Sequence, residues 1–386
     1  MNGWKLQASE LERAAGEAAM AACQHWPEGP GLVIGSGGST GGRKWCLQSW
    51  QNLEQSAAST GRWLTAIGID PSRVRLVNPL SPDHIGGLMP QVRSQHWEAP
   101  LLAISPRELK CPEGLLQRSA ELTADGREAL ISLVPTQLQR LLDSPAGIQW
   151  LQHFRLIWVG GAALSPALAQ QAREAQLQLS PCYGATETAA MVCALDPAAF
   201  LEGGASCGNP LDDVELRLDP KTSAISVNTR RLSPGWLAGA ELKPFADADR
   251  WWRSGDAGQL NTEGLQVKGR LDGALNSGGA TVFPEQIEAS LIDVAGVEAL
   301  LVVGIPDAQW GQQLVGLMRL NPDADPEAVL QELQERARGL TPAERPRQWQ
   351  ITPELSTNHQ GKWERKRWAQ SAQRQQSDTP GTVQPS

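Results

Sequence analysis

The chain has 386 residues, 41% of them hydrophobic and 20% charged, with a formal net charge of -8. That length exceeds one ordinary core and points to two domains of a globular protein. Arg and Lys are scattered without a basic block, which argues against nucleic acid or an anionic membrane as partner, and the longest apolar stretch, around Leu156 to Leu164, is too short to span a bilayer.

Ser9-Glu10-Leu11-Glu12 reads as a capping box, and an alanine-rich helix is expected to follow to about Cys23. The early acids leave no apolar leader, so no signal peptide is expected. Gly31 to Gly35 reads as a buried strand, Ser36 to Lys44 as a polar glycine-rich turn, and Trp45 to Ile67 as a helix. Val74 to Val77 predicts a strand, Ile85 to Trp97 a helix, and Leu101 to Ile104 a strand. Thr136 to Leu142 predicts a helix behind Pro135, and Leu156 to Val159 a strand ending at Gly160-Gly161. Ser165-Pro166 then opens a helix to about Leu177. Strands alternating with helices predict a layered α/β domain.

After about Cys207 the pattern changes. Val214 to Leu218, Ala224 to Val227 and Leu265 to Lys268 read as short strands. Pro284 to Leu291 predicts a helix, Val297 to Val303 and Leu314 to Met318 strands, Pro326 to Arg338 a helix, and Trp363 to Arg374 a last helix. The expected division is a large domain over 1–271, a small α+β domain over 272–370, and an unstructured polar tail over 371–386.

The six cysteines form no C-x-x-C pair and the five histidines are dispersed, which disfavours a zinc site and a disulfide framework. Reduced thiols in a cytoplasmic protein are the expectation. Ser36-Gly-Gly-Ser-Thr-Gly-Gly-Arg-Lys44 carries the chemistry of a polyphosphate cradle: glycines that turn N–H groups inward, hydroxyl donors, and cations. Neither the Walker spacing nor the dinucleotide fingerprint fits it. Five further clusters fall at loops: Gly160-Gly161-Ala162, Tyr183-Gly-Ala-Thr-Glu-Thr188, Trp252-Arg-Ser-Gly-Asp256, Gly269-Arg-Leu-Asp272 leading to Ser277-Gly-Gly279, and Asn358-His-Gln-Gly-Lys362. Each alone is ordinary turn chemistry; their order behind the cradle is the stronger signal.

That order resembles the adenylate-forming superfamily of acyl- and aryl-CoA ligases, luciferases and peptide-synthetase adenylation domains, from about Val33 to Arg365. Asn78-Pro79-Leu80 through His84-Ile85-Gly86-Gly87-Leu88, and Leu133 to Leu138, resemble loops of a branch acting on an aromatic acid. The resemblance implies that fold, with a mobile small domain, and an enzyme using ATP, Mg²⁺ and CoA with an aromatic carboxylic acid; a homo-oligomer is left open. It implies that Ser36, Ser39, Thr40 and Lys44, with Gly37, Gly38 and Gly41, hold the β- and γ-phosphates. Gly160, Gly161, Tyr183 and Gly184 would line the adenine, Thr186 would meet the α-phosphate, and Glu187 would place Mg²⁺. Asp256 would take the ribose hydroxyls, Arg270 the ribose and phosphate, and Asp272 would be the hinge. Lys362 would reach the substrate carboxylate and α-phosphate. His84 would face the acyl pocket, Gly279 the CoA path, and Thr136, Gln137 and Arg140 are candidates for the ring carboxylate.

The chemistry asks for such a division. A carboxylate does not accept a thiol directly because oxide is a poor leaving group, whereas a mixed anhydride with AMP has a stable one. Making that anhydride sets an anion against an anion, so positive charge must be focused there. The sequence departs from the family pattern at Arg43, where Pro is usual, at Ser254, where Thr is usual, and at Ser356 and Asn358, where Pro and Thr are usual. No charged group with an implied role is lost. Another aryl- or fatty-acyl-CoA ligase, or a non-catalytic nucleotide-binding protein of the same fold, remains an alternative.

Overall fold

A computed structural model describes residues 3–37, 43–357 and 363–378. Its contacts divide the chain into a larger unit, Met1–Leu164 with Leu168–Val267, and a smaller one, Ser165–Ala167 with Lys268–Ser386.

In the larger unit the described strands form three sheets. The central one runs, in spatial order, Asn209–Pro210, Ala190–Ala194, Leu179–Ala185, Phe154–Val159, Glu128–Leu133, Val74–Asn78, Leu101–Ala103. From Leu179–Ala185 to Leu101–Ala103 the neighbours are parallel. Alternate residues of its strands enter different cores, because successive side chains point to opposite faces. Val77, Ile131, Ile157 and Leu179 join one with Leu138, Leu141, Trp150 and Leu168. Leu76, Leu130, Leu156 and Trp158 join the other with Leu64 and Trp97. Helices thus cover a sheet buried on both faces, the layered α/β arrangement expected. Two further sheets flank it: Trp4–Gln7, Gly31–Gly37, Arg43–Ser49, Trp236–Ala238, Glu241–Lys243; and Val214–Leu218, Ala224–Thr229, Trp252–Asn261, Gly264–Arg270.

One correction bears on function. The glycine-rich turn does not join a strand to a helix. Residues Arg43–Ser49 form a second strand, antiparallel to Gly31–Gly37 with Gly37 opposite Arg43, and the helix is Trp50–Ala66. Trp45, Cys46, Leu47 and Gln48 are all buried. A strand buried on both faces shows no polar alternation, so its pattern merges with the helix behind it. Ser49 ends the strand and caps the helix, its Oγ accepting the Asn52 N–H at 3.1 Å.

In the smaller unit Val297–Asp307 and Gly311–Leu320 form a long hairpin. Leu300, Val302, Leu314 and Met318 pack on Ile287, Leu291 and Leu333 of the helices Pro284–Leu291 and Pro326–Ala337. The alternate residues Leu301, Val303, Val315 and Leu317 pack on Trp368 and Ala372. Those two belong to the helix Arg365–Asp378, which runs past residue 371, where an unstructured tail was expected. Ala372 is 1% exposed, so burying it holds the end of that helix on the sheet. Among the described residues no helix is long and apolar enough to cross a membrane.

Candidate nucleotide site

Three pieces of the larger unit meet around the motif Tyr183 to Thr188. The strand Leu179–Ala185 carries Tyr183 beyond the carboxyl end of Phe154–Val159, where open α/β sheets bind ligands. Its phenol donates to Asp256 Oδ2 at 2.7 Å. Burial first, then the negative Asp256, hold the Tyr183 pKa well above its ordinary value. The phenol therefore stays a donor, and the carboxylate keeps acceptor capacity for other hydroxyls. The Asp256 N–H donates to Ser254 Oγ at 3.1 Å, and Ser254 Oγ donates to the Ile225 carbonyl at 3.1 Å.

Gly160 ends the neighbouring strand, and its N–H donates to the Leu133 carbonyl at 3.2 Å. A Cβ there would lie 2.9 Å from Cys182 Sγ, and Gly161 has φ +81°. Gly184 is forced as well: a Cβ would lie 2.2 Å from the Ala190 carbonyl oxygen.

Thr186–Thr188 form a single 3-10 turn. The hairpin grips it, Gln48 Nε2 donating to the Thr186 carbonyl at 2.6 Å and Ser36 Oγ donating to Glu187 Oε1 at 3.1 Å. The Ser233 N–H donates to the Glu187 carbonyl at 2.8 Å. Burial, then the Glu187 charge, push the Cys46 thiol well up, so it stays neutral. Arg231, 0% exposed, braces the turn from behind. It pairs with Asp213 (Nε to Oδ2, 2.7 Å) and donates to the Thr188 carbonyl at 2.7 Å and the Met191 carbonyl at 2.9 Å. Between those carbonyls Ala189 and Ala190 take φ of 51° and 78°, strained for residues with a Cβ.

Among the described residues no group of three or more His, Cys, Asp or Glu could hold a metal. Mg²⁺ takes oxygen ligands, commonly one or two carboxylates with phosphate and water. The oxygen donors of Glu187 and Ser36 fit it.

Arg93 was not singled out from the sequence. It is 4% exposed, its guanidinium lies 4.8 Å from the Trp158 ring, and no carboxylate pairs with it among the described residues. Burial pushes its pKa down to about 10, so it remains charged at neutral pH. Arg93 Nε, Trp158 Nε1 and Ser180 Oγ are all buried without hydrogen-bond partners, and Trp158 and Ser180 stand opposite each other on adjacent strands. The signal was available: Met89, Arg93 and Trp97 fall four apart on the buried stripe of one helix.

The remaining expected residues are placed as follows. His84 is exposed at the N-cap position of Ile85–Trp97. The preceding loop is pinned by Asn78 Nδ2, which donates to the Gly87 carbonyl at 2.8 Å. Thr136 and Arg140 are exposed, and Gln137 Oε1 accepts the Val134 N–H at 3.2 Å as part of a helix cap. Arg270 ends its strand and pairs with Asp272 (Nε to Oδ1, 3.2 Å) of the following turn Leu271–Gly273. Gly279 has φ +80° with open space where a Cβ would be. Gly38, Ser39, Thr40, Gly41, Asn358 and Lys362 lie outside the described residues.

The sequence model of the family described as AMP-binding enzyme matches residues 3–227, and that of the AMP-binding enzyme C-terminal domain matches residues 286–362. The chain belongs to the AMP-binding enzyme family. It is 28% identical over 343 residues to 2-succinylbenzoate–CoA ligase of Listeria innocua, covering 86% of this chain and 68% of that protein. To the enzyme of the same name from Enterococcus faecalis it is 29% identical over 338 residues, covering 82% and 64%. The chain thus spans about two-thirds of the length of these relatives. Among solved structures, o-succinylbenzoate CoA synthetase from Bacillus subtilis in complex with the acyl-adenylate intermediate OSB-AMP has a TM-score of 0.73 at 22% identity, covering 87% of this chain and 68% of that one. The anthranilate CoA ligase AuaEII in complex with anthranoyl-AMP has a TM-score of 0.74 at 20% identity, covering 90% and 68%. The adenylate-forming fold, with its large N-terminal and small C-terminal domain, is the fold of this chain.

Proposed function

We propose that this chain joins 2-succinylbenzoate to CoA. A substrate carboxylate oxygen attacks the α-phosphorus of ATP and pyrophosphate leaves, giving the acyl-adenylate. The CoA thiol then attacks the acyl carbon, a C–S bond forms, the C–O bond to AMP breaks, and the thiol proton passes to solvent. The observation that carries the reading is the meeting of Ser36 with Glu187 and of Tyr183 with Asp256 around one turn.

Asp256, oriented by Tyr183 and by its own N–H bond to Ser254, accepts the ribose hydroxyls. Gly160 and Gly161 leave room for the base against Tyr183. Ser36 and Lys44 face the β- and γ-phosphates from the hairpin, and Thr186 meets the α-phosphate. Glu187, with Ser36, would hold Mg²⁺, which supplies charge neutralisation at the phosphates. Lys362 would aim its ammonium at the reacting carboxylate and α-phosphate, and rotation about Asp272 would withdraw it to open the thiol path. Arg93 suits the second carboxylate of the acid, because a buried cation without an acid partner favours an anion. The reading places the enzyme in menaquinone or phylloquinone synthesis in the cytoplasm.

Pyrophosphate exchange with 2-succinylbenzoate tests it. Exchange well above background is expected, weaker with an acid lacking the second carboxylate, and Arg93→Met should erase that preference. No exchange with 2-succinylbenzoate alongside exchange with another aryl or fatty acid rejects the substrate, and no ATP binding by calorimetry rejects the enzyme.

A further inference from the structure

The Lys44 ammonium lies 4.4 Å from the centroid of the Trp236 ring. The hairpin register explains how they meet. Lys44 stands opposite Ser36, and Trp236 stands opposite Cys46, two residues along the same strand, so the three side chains share one face. Ser36 on that face reaches Glu187. The indole packs on further rings: its ring centroid is 4.4 Å from that of Phe245, and Phe245 is 6.4 Å from Trp252. A row of three rings therefore presents a rigid aromatic face to a flexible side chain. A lysine stem samples many rotamers, and an aromatic face attracts its ammonium through the ring quadrupole.

We infer that Trp236 is a positioning residue: it holds the Lys44 ammonium at the mouth of the hairpin, so that the β- and γ-phosphates of ATP meet a cation already in place. The inference rests on the reading of Lys44 as a phosphate-binding cation. Ordering the lysine before ATP arrives lowers the conformational cost of binding. Trp236 itself touches no substrate and acts through Lys44.

Calorimetric titration of the full chain with ATP and Mg²⁺ tests this without turnover. Trp236→Leu should weaken ATP binding about threefold to tenfold, and Trp236→Phe, which keeps a ring, should retain most of the affinity. AMP lacks the β- and γ-phosphates, so its affinity should not change in Trp236→Leu; an equal loss for AMP would mean a general distortion and overturn the inference. Lys44→Ala should weaken ATP more than Trp236→Leu, and the double variant should match Lys44→Ala alone, since Trp236 would have nothing left to position. Additive losses, or ATP affinity unchanged or improved in Trp236→Leu, overturn the inference while leaving Lys44 on the phosphates. Unchanged ATP affinity in Lys44→Ala rejects the underlying phosphate assignment instead. Should the Leu variant fail to fold, Trp236→Phe and Trp236→Tyr carry the test, and a tenfold loss in both would reject ring-based positioning.

Discussion

The Ser36 hydroxyl donates to the Glu187 carboxylate at 3.1 Å across 151 residues of sequence. One comes from the hairpin that carries the glycine-rich turn, the other from the 3-10 turn behind Tyr183. In the proposed function these are the oxygen ligands that Mg²⁺ and the phosphates would share. Glu187→Gln keeps the shape and removes the charge. Pyrophosphate exchange should fall about a hundredfold, the loss typical of a removed transition-state contact. Ser36→Ala should lose less, because the carboxylate remains. Both should raise the Mg²⁺ concentration at half-maximal exchange. An unchanged Mg²⁺ dependence in Glu187→Gln would count against the metal role.

Asp256 is held by Tyr183 and by its own N–H bond to Ser254, which leaves its acceptor sites directed by structure rather than free to rotate. Asp256→Ala should weaken ATP binding tenfold to a hundredfold, in line with about 1.5–3 kcal/mol for a hydrogen bond to a charged group. The same variant should lose the preference for ATP over 2′-deoxy-ATP. Retained discrimination between the two nucleotides would place the ribose elsewhere.

Arg231 is the anchor of the Thr186–Thr188 turn, and Asp213 is its counter-ion. Burial works against the Asp213 charge, but the Arg231 guanidinium prevails and holds its pKa below the ordinary value. A depressed carboxylate contributes stability above its unfolded pKa, about 3.9, and loses it as pH falls through the folded value. Arg231→Met leaves the aspartate unpaired and should cost about 3–5 kcal/mol near pH 7. The gap to the parent should narrow as pH falls through the depressed Asp213 value, where Asp213 takes a proton in both proteins. Urea denaturation across that fall measures this, and a gap that stays constant would contradict the pairing.

The sequence made some of this visible and hid the rest for physical reasons. The helices Ile85–Trp97 and Pro284–Leu291 were legible to the residue, because periodicity and starting signals mark them locally. The strand Arg43–Ser49 was not, since burial on both faces removes the alternation that identifies a strand. The order of Tyr183 and Asp256 was legible from family resemblance, but their hydrogen bond spans 73 residues and belongs to the fold. Arg231 was not singled out from the sequence either. Its partners at Asp213 and Met191 lie 18 and 40 residues away, and only folding turns a surface-type residue into a buried brace.

Lys362 lies outside the described residues, so its role rests on the sequence, and a half-reaction experiment isolates it. Three residues further on, Arg365 Nη2 donates to Glu288 Oε2 at 2.8 Å and its Nη1 to the Val302 carbonyl at 2.9 Å, which fixes the start of the last helix. These bonds anchor the root of that helix within the smaller unit. A group whose charge serves only the first transition state should matter only there. Lys362→Ala should lower adenylate formation by about a hundredfold or more, while thiol transfer from supplied acyl-adenylate stays within about threefold of the parent. Arg365→Met should impair the same half-reaction by loosening the root, with the smaller unit also losing thermal stability. Equal losses in both half-reactions for Lys362→Ala would mean that the lysine is not withdrawn between steps, and would contradict the proposed rotation about Asp272.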